Sequence, residues 1–317
     1  LQNLHSSITR REFHRHIAAT AALAAAALAR PARAQSFPPG KYVDIHTHIG
    51  QEWGSKEKLT AKALLEWMDL HEIAQAVVLP LVNPESWDYP ISTDYVLRET
   101  KPHRDRLIPF CAIDPRAVML GAQEKRDQMK KYQDAGCKGF GEHKPGVEMA
   151  DPRNMELFQA CADVGFPMLF HLDNIRNTDK PGLPGLETVL KAVPNGIFIG
   201  HATGWWASIS GGLQEGDLKG YPEGKVAPGG AVGRLFDTYP NLYGDLSAGS
   251  GSNALSRDLE HGRDFCIQYV DRLLFGTDYL APGQDVRQFD IFDGFKLPAE
   301  VEAKIFRENA RRLLGVG

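Results

Sequence analysis

Cysteine is scarce in this chain: four residues among 317, at positions 111, 137, 161 and 266, with no Cys-x-x-Cys spacing. That sparsity excludes a small disulfide-stapled scaffold and offers no thiolate cluster for a structural zinc site. The four lie within or beside apolar segments, so buried free thiols are expected, with a Cys111–Cys137 bridge as the alternative that an oxidising compartment would permit. Long hydrophobic runs are lacking too. The apolar stretch 17–28 is too short to cross a bilayer comfortably. Nor does either charge dominate: 36 Lys and Arg stand against 40 Asp and Glu, a net charge of −4. This balance argues against a nucleic acid or an anionic membrane surface as partner, and leaves a small-molecule substrate open.

What is present at the N-terminus reads as a cleavable export signal. Thr9-Arg10-Arg11-Glu12-Phe13 precedes the Ala-rich run 17–28, and Ala32-Arg33-Ala34 supplies a small-residue cleavage site. Paired arginines point to the twin-arginine route, hence to a periplasmic or secreted protein without stable membrane association after cleavage. Residues 1–34 carry five basic residues and one acid, so the remaining 283 hold 31 basic and 39 acidic residues, net −8. Residues 35–41 read as a linker and 42–317 as one domain.

Within that domain, short apolar runs bounded by turn residues recur at 42–45, 76–81, 107–113, 139–142, 167–172, 196–200, 242–246 and 273–276. Segments with helical periodicity lie between them, such as Ala63-Leu64 with Trp67, Met68 and Ile73. Thr60, and Asp151 followed by Pro152, signal helix starts, and Gly315 a helix end. Strand and helix alternating eight times predict an α/β fold, a single (β/α)8 TIM barrel.

Candidate ligands follow the same rhythm. Glu142 to His171 is 29 residues and His171 to His201 is 30, each about one β/α unit. In Asp44-Ile45-His46-Thr47-His48, histidines at i and i+2 project to one side of a strand and can reach one ion, with Asp44 available to orient a ring from behind. Of eight histidines after residue 34, four (His46, His48, His171, His201) fall at expected strand ends, and Gly276-Thr277-Asp278 ends the last strand. Barrel active sites are built at that mouth, and a nitrogen and oxygen donor set suits a catalytic divalent metal such as zinc.

On these motifs, together with Leu274-Phe275-Gly276-Thr277-Asp278 and Asn309-Ala310-Arg311-Arg312-Leu313-Leu314, the chain resembles the amidohydrolase superfamily, specifically the group that includes aminocarboxymuconate semialdehyde decarboxylase. The resemblance implies that His46, His48, His171 and Asp278 bind one metal, with His201 beside it as acid, base or electrophile, and it suggests a homodimer. Where that group commonly shows Lys-x-His on strand four, this chain has Gly141-Glu142-His143-Lys144, which opens a second arrangement: Glu142 bridging two ions, as a strand-four glutamate does in TatD-like nucleases. Glu142 is otherwise a substrate contact or an ion-pair partner of Lys144, and His143 alternates outward. Zinc is the expected ion, with manganese as the alternative.

The expected chemistry is hydrolysis of an ester, lactone or amide in a small organic acid or aromatic compound by a metal-activated water. Asp278 would take the proton of that water and His201 would hold the developing oxyanion. Ser247 and Ser250, in a Ser/Gly-rich stretch running into a helix, form an expected anion-binding helix start. Trp53, Trp205 and Trp206 would line an apolar pocket, with Lys144 as a further substrate contact and the Gly-rich stretch 204–230 as a lid. Two other readings compete: a metal-dependent non-oxidative decarboxylase, and a non-catalytic periplasmic binding protein.

Overall fold

The computed structural model describes residues 40–51, 55–86, 90–117 and 121–316. The expected export signal, most of the linker, and Trp53 lie outside the described residues. The described residues form one compact unit.

Among the described residues eight parallel strands run in chain order: β1 (Tyr42–Thr47), β2 (Ile73–Val78), β3 (Leu107–Pro109), β4 (Phe140–His143), β5 (Pro167–His171), β6 (Ile197–His201), β7 (Leu242–Asp245) and β8 (Leu273–Leu274). Neighbours in sequence pair along β1 to β3 and along β4 to β8. Backbone hydrogen bonds carry the ring across both remaining seams. Cys111 N donates to Gly139 O, and Gly141 N to Cys111 O, between the third and fourth strands; Ile45 N donates to Phe275 O, and Asp278 N to His46 O, between the eighth and first. The result is a closed parallel barrel, in which every strand has both edges paired.

Helices fill the crossovers: α1 (Ala61–Leu70), α2 (Thr93–Thr100), α3 (Ala122–Asp134), α4 (Pro152–Asp163), α5 (Pro184–Ala192), α6 (Thr203–Ala207), α7 (Ala231–Thr238), α8 (Ala248–Ser256), α9 (Leu259–Gln268) and α10 (Gln288–Phe295). A final helical stretch comprises α11 (Ala299–Ala303), a π turn at Lys304–Glu308, and α12 (Asn309–Leu314). Their ends follow local chemistry. Thr60 Oγ1 accepts from Ala63 N and Asp151 Oδ1 from Arg153 N, while Gly315 closes α12 in the left-handed region.

All residues of β1 and β2 are buried, as a sheet covered on both faces requires. Val43, Ile45, Val77, Leu79, Ile108, Phe110, Leu169, Ile199, Tyr243 and Leu274 form one apolar cluster inside the barrel; the larger cluster packs the outer face of the sheet against the helices. The four cysteines are buried and free, so the bridge is not formed here. Among the described residues no helix is long and apolar enough to cross a membrane.

Two irregularities re-aim side chains toward the mouth. On β1, Asp44 pairs with Ala76 but Thr47 with Val78, so one extra residue is inserted against β2. Inward-facing Val43 and Ile45 are thereby followed by His46 and His48, which turn inward and meet each other although their parity is opposite to that of Val43 and Ile45. On β4, Phe140 pairs with Met168 and His143 with Phe170, again one residue in excess. Gly141 makes this kink feasible: its φ is +138°, and a Cβ there would stand 2.5 Å from Leu169 O. His143 turns outward, its Nε2 on Asn154 Oδ1 at 2.9 Å, while Glu142 turns in.

Candidate metal centre

The strand ends bring five of the expected side chains together. His46 and His48, at the end of β1, hold their Nε2 atoms 3.2 Å apart. Asp278, three residues past the Phe275 bridge to β1, places Oδ1 3.3 Å from His46 Nε2 and 3.4 Å from His48 Nε2. Glu142 Oε2 lies 3.8 and 3.6 Å from the same two nitrogens, and His201 Nε2 faces Glu142 Oε1 at 3.8 Å. Two overlapping groups could each hold a cation: His46, His48 and Asp278, and His46, Glu142 and His201.

The far sides of the rings decide which atoms are available. His48 Nδ1 is 3.0 Å from Leu79 O, an acceptor only, so this nitrogen carries the proton. His46 Nδ1 is 2.6 Å from Asp245 Oδ2 and likewise donates. In the neutral form each ring turns a bare lone pair inward, and those lone pairs point at one another and at a carboxylate oxygen. A positive charge placed among them, a proton or a divalent cation, relieves this repulsion. Two bonds of about 2.1 Å meeting at a tetrahedral angle put donor atoms roughly 3.4 Å apart, the spacing of this triangle. Glu142 adds a second indication: it is buried, and its Oε2 makes no hydrogen bond among the described residues, with Lys144 Nζ as ionic partner at 3.1 Å. The residues present fit a divalent metal.

Charge around the centre is organised for the same purpose. Burial opposes ionisation of Glu142, yet the Lys144 ammonium and the His171 ring hold it well below the usual carboxylate range. Asp278 is also held down against its burial, by His46 and His48. Burial disfavours a charge on His46, but Asp278 and Asp245 draw its proton affinity well above the ordinary histidine range. A pocket that stabilises a positive charge on a buried imidazole stabilises a cation in its place.

Several expectations need correction. His171 does not join the triangle: Glu142 Oε1 reaches its Nδ1 at 2.7 Å and Asp173 Oδ2 its Nε2 at 2.9 Å, so both nitrogens are taken by carboxylates. Trp205 and Trp206 do not line a pocket. They lie in the short helix α6 and are buried in the outer core, where Gly200 leaves room for the Trp205 ring and Trp206 Nε1 donates to Asp245 O at 2.7 Å. Ser247 faces the back of the histidines, its hydroxyl donating to Asp245 Oδ2 at 2.8 Å, and Ser250 is buried within α8. Asp44 holds two backbone N–H groups and a hydroxyl instead of a ring: it accepts from His46 N, Thr277 N and Thr277 Oγ1, and burial pushes its carboxyl up to about 7. Lys144 meets Glu142, and the stretch 204–230 contains α6 and a 3-10 turn at Glu215–Lys219.

Two carboxylates at the site were missed. Asp173 sits two residues beyond His171 and is fixed by Ile175 N, Arg176 N and the Arg176 guanidinium. Asp245 closes β7 and touches both His46 and His201. Position alone could have found Asp245, since it ends a barrel strand as each histidine does.

The family model described as Amidohydrolase matches residues 43–316. None of the curated proteins searched matches the chain. Among solved structures, an uncharacterized TIM-barrel protein from Bordetella bronchiseptica is 20% identical, over 81% of this chain and 83% of that one, with a TM-score of 0.58. A dihydroxybenzoic acid decarboxylase from Polaromonas sp. JS666, with bound manganese and the inhibitor 2-nitroresorcinol, is 15% identical, over 86% and 96%, with a TM-score of 0.55. A Pseudomonas putida protein assigned as a 2-pyrone-4,6-dicarboxylic acid hydrolase is 14% identical, over 86% and 97%, with a TM-score of 0.58. At such identities the likeness concerns the fold.

Proposed function

The chain belongs to the amidohydrolase family, and we propose that it is a metal-dependent hydrolase cleaving an ester, lactone or amide bond of a small organic acid or aromatic compound. The observation that carries this reading is the triangle of His46 Nε2, His48 Nε2 and Asp278 Oδ1, with sides of 3.2, 3.3 and 3.4 Å. A divalent ion held there, zinc by its fit to nitrogen and oxygen donors or manganese as the alternative, supplies Lewis acidity and a water with a pKa of about 7.

The protein's own residues do the rest. Asp278 is the most open member of the triangle, with 19% of its side chain exposed against 0% for His46 and 3% for His48, so it can meet both the ion and an incoming water. It takes the proton of the attacking water and returns it to the leaving group. His201, with Nδ1 held from behind by Asp245 and Ser247, directs Nε2 into the same space, where it steadies the developing oxyanion or exchanges a proton. Glu142, with Lys144 and His171 around it, forms the far wall and would contribute a carboxylate ligand if a second ion were taken up.

Non-oxidative decarboxylation is the second reading, favoured by the similarity to the Polaromonas decarboxylase structure. Protein loaded with zinc or manganese and screened against lactones, aryl esters, carboxylated muconates and hydroxybenzoates separates the two. Proton release without carbon dioxide supports hydrolysis; carbon dioxide release supports the alternative. The Arg10-Arg11 pair and the apolar run after it support export by the twin-arginine route.

A further inference from the structure

Asp245 stands behind two histidines of different duty. Its Oδ2 lies 2.6 Å from His46 Nδ1 and 3.1 Å from His201 Nδ1, and it accepts from the Ser247 hydroxyl at 2.8 Å, whose oxygen is in turn 3.1 Å from His201 Nδ1 and, its own proton committed to Asp245, accepts from that nitrogen. Its Oδ1 accepts from Ser247 N at 3.0 Å. The residue is fully buried, and Trp206 Nε1 donates to its backbone oxygen at 2.7 Å, so neither the strand end nor the carboxylate has room to wander.

Gly276 is part of the same arrangement. A Cβ at this position would lie 2.3 Å from Asp245 Oδ1 and 2.9 Å from Ser247 Cβ. The glycine of the Gly276-Thr277-Asp278 motif therefore serves Asp245 from the neighbouring strand, and the loss of that space would displace the carboxylate without removing it.

We propose that Asp245 is a positioning residue that fixes the Nδ1–H tautomer of both His46 and His201, so that metal affinity and acid-base competence depend on one shared carboxylate oxygen. This rests on the metal-dependent reading above. A partner behind a metal-binding imidazole sets its tautomer and orientation, and its loss typically lowers metal affinity about 10- to 100-fold. Here the same change also frees His201. An Asp245 variant should thus show two defects that separate residues would otherwise produce singly.

The test has three arms. In metal-free wild-type protein labelled with 15N-histidine, both rings should show the Nδ1–H tautomer in the neutral form; finding Nε2–H at either overturns the proposal without any variant. Asp245→Asn, which keeps size and one acceptor oxygen, should bind Co2+ about 10- to 100-fold more weakly in a chelator competition, change the visible spectrum of the cobalt form, and move the pH profile of kcat/KM measured on whichever substrate the screen identifies. Gly276→Ala should reproduce the weaker cobalt binding. Cobalt affinity within about twofold of wild type in both variants, in protein with an unchanged circular dichroism spectrum, contradicts the proposal. Failure of the wild type itself to bind cobalt would instead contradict the metal-dependent reading.

Discussion

His46 and His48 present Nε2 atoms 3.2 Å apart, and each ring has its other nitrogen committed to an oxygen behind it, Asp245 Oδ2 for one and Leu79 O for the other. In their neutral forms two imidazoles so constrained repel unless a proton or a metal cation lies between them.

Asp278→Asn keeps the shape of the side chain and removes its capacity to carry a proton. Turnover should fall by about 100- to 10,000-fold, while part of the bound metal is retained. Steady-state kinetics alongside metal analysis check this; near-normal activity would discard the assigned role.

Gly141→Ala introduces a Cβ 2.5 Å from Leu169 O at a residue whose φ is +138°. Backbone must shift, so the variant should lose more than about 2 kcal/mol of stability, and Glu142 should leave the centre. Urea unfolding measures the first effect and metal content the second.

Gly200→Ala tests the corrected role of Trp205. The new methyl would fall 2.5 Å from the indole, forcing the ring from its place between Phe170 and Phe236. Overpacking of this kind should cost about 1–3 kcal/mol, read as a lower urea midpoint. Were Trp205 instead a mobile pocket wall, stability would be unchanged.

Asp114 provides a pH-dependent test away from the metal. Burial raises its pKa, but hydrogen bonds from Arg116 and Asn83 outweigh this and bring it to about 2 from an ordinary value of 3.8. Because the folded value is the lower one, the stabilisation is complete above about pH 4 and is lost as pH falls through 2. The stability difference between wild type and Asp114→Asn should be on the order of 1 kcal/mol at neutral pH, after allowance for solvent screening, and should shrink below pH 4. A difference that stays constant down to pH 2 would rule out the ion pair as its source.

The barrel was legible because its strands are buried on both faces and read as short apolar runs. The run expected at 167–172 is β5 at Pro167–His171, and that at 242–246 is β7 at Leu242–Asp245. Helix ends were legible where the cap is local, as at Thr60 and Asp151. What escaped depends on contacts between strands. Nothing near Trp205 announces that Gly200 and Phe170 make a cavity for it, so two aromatic residues in a Gly-rich stretch read as a loop. The orientation of His171 is set by Glu142 and Asp173 from opposite sides, a relation that strand spacing does not encode. Asp245 was hidden for the same reason: its partners are 199 and 44 residues away in the chain.

The most direct test of the central claim is the metal content of purified protein, measured by mass spectrometry after gentle preparation, together with its loss on chelation. The account predicts about one equivalent of a divalent ion, dependent on His46, His48 and Asp278, with activity lost on chelation and restored on re-addition. Less than about 0.2 equivalents of any divalent ion, with no uptake when zinc, manganese or cobalt is supplied, would contradict it.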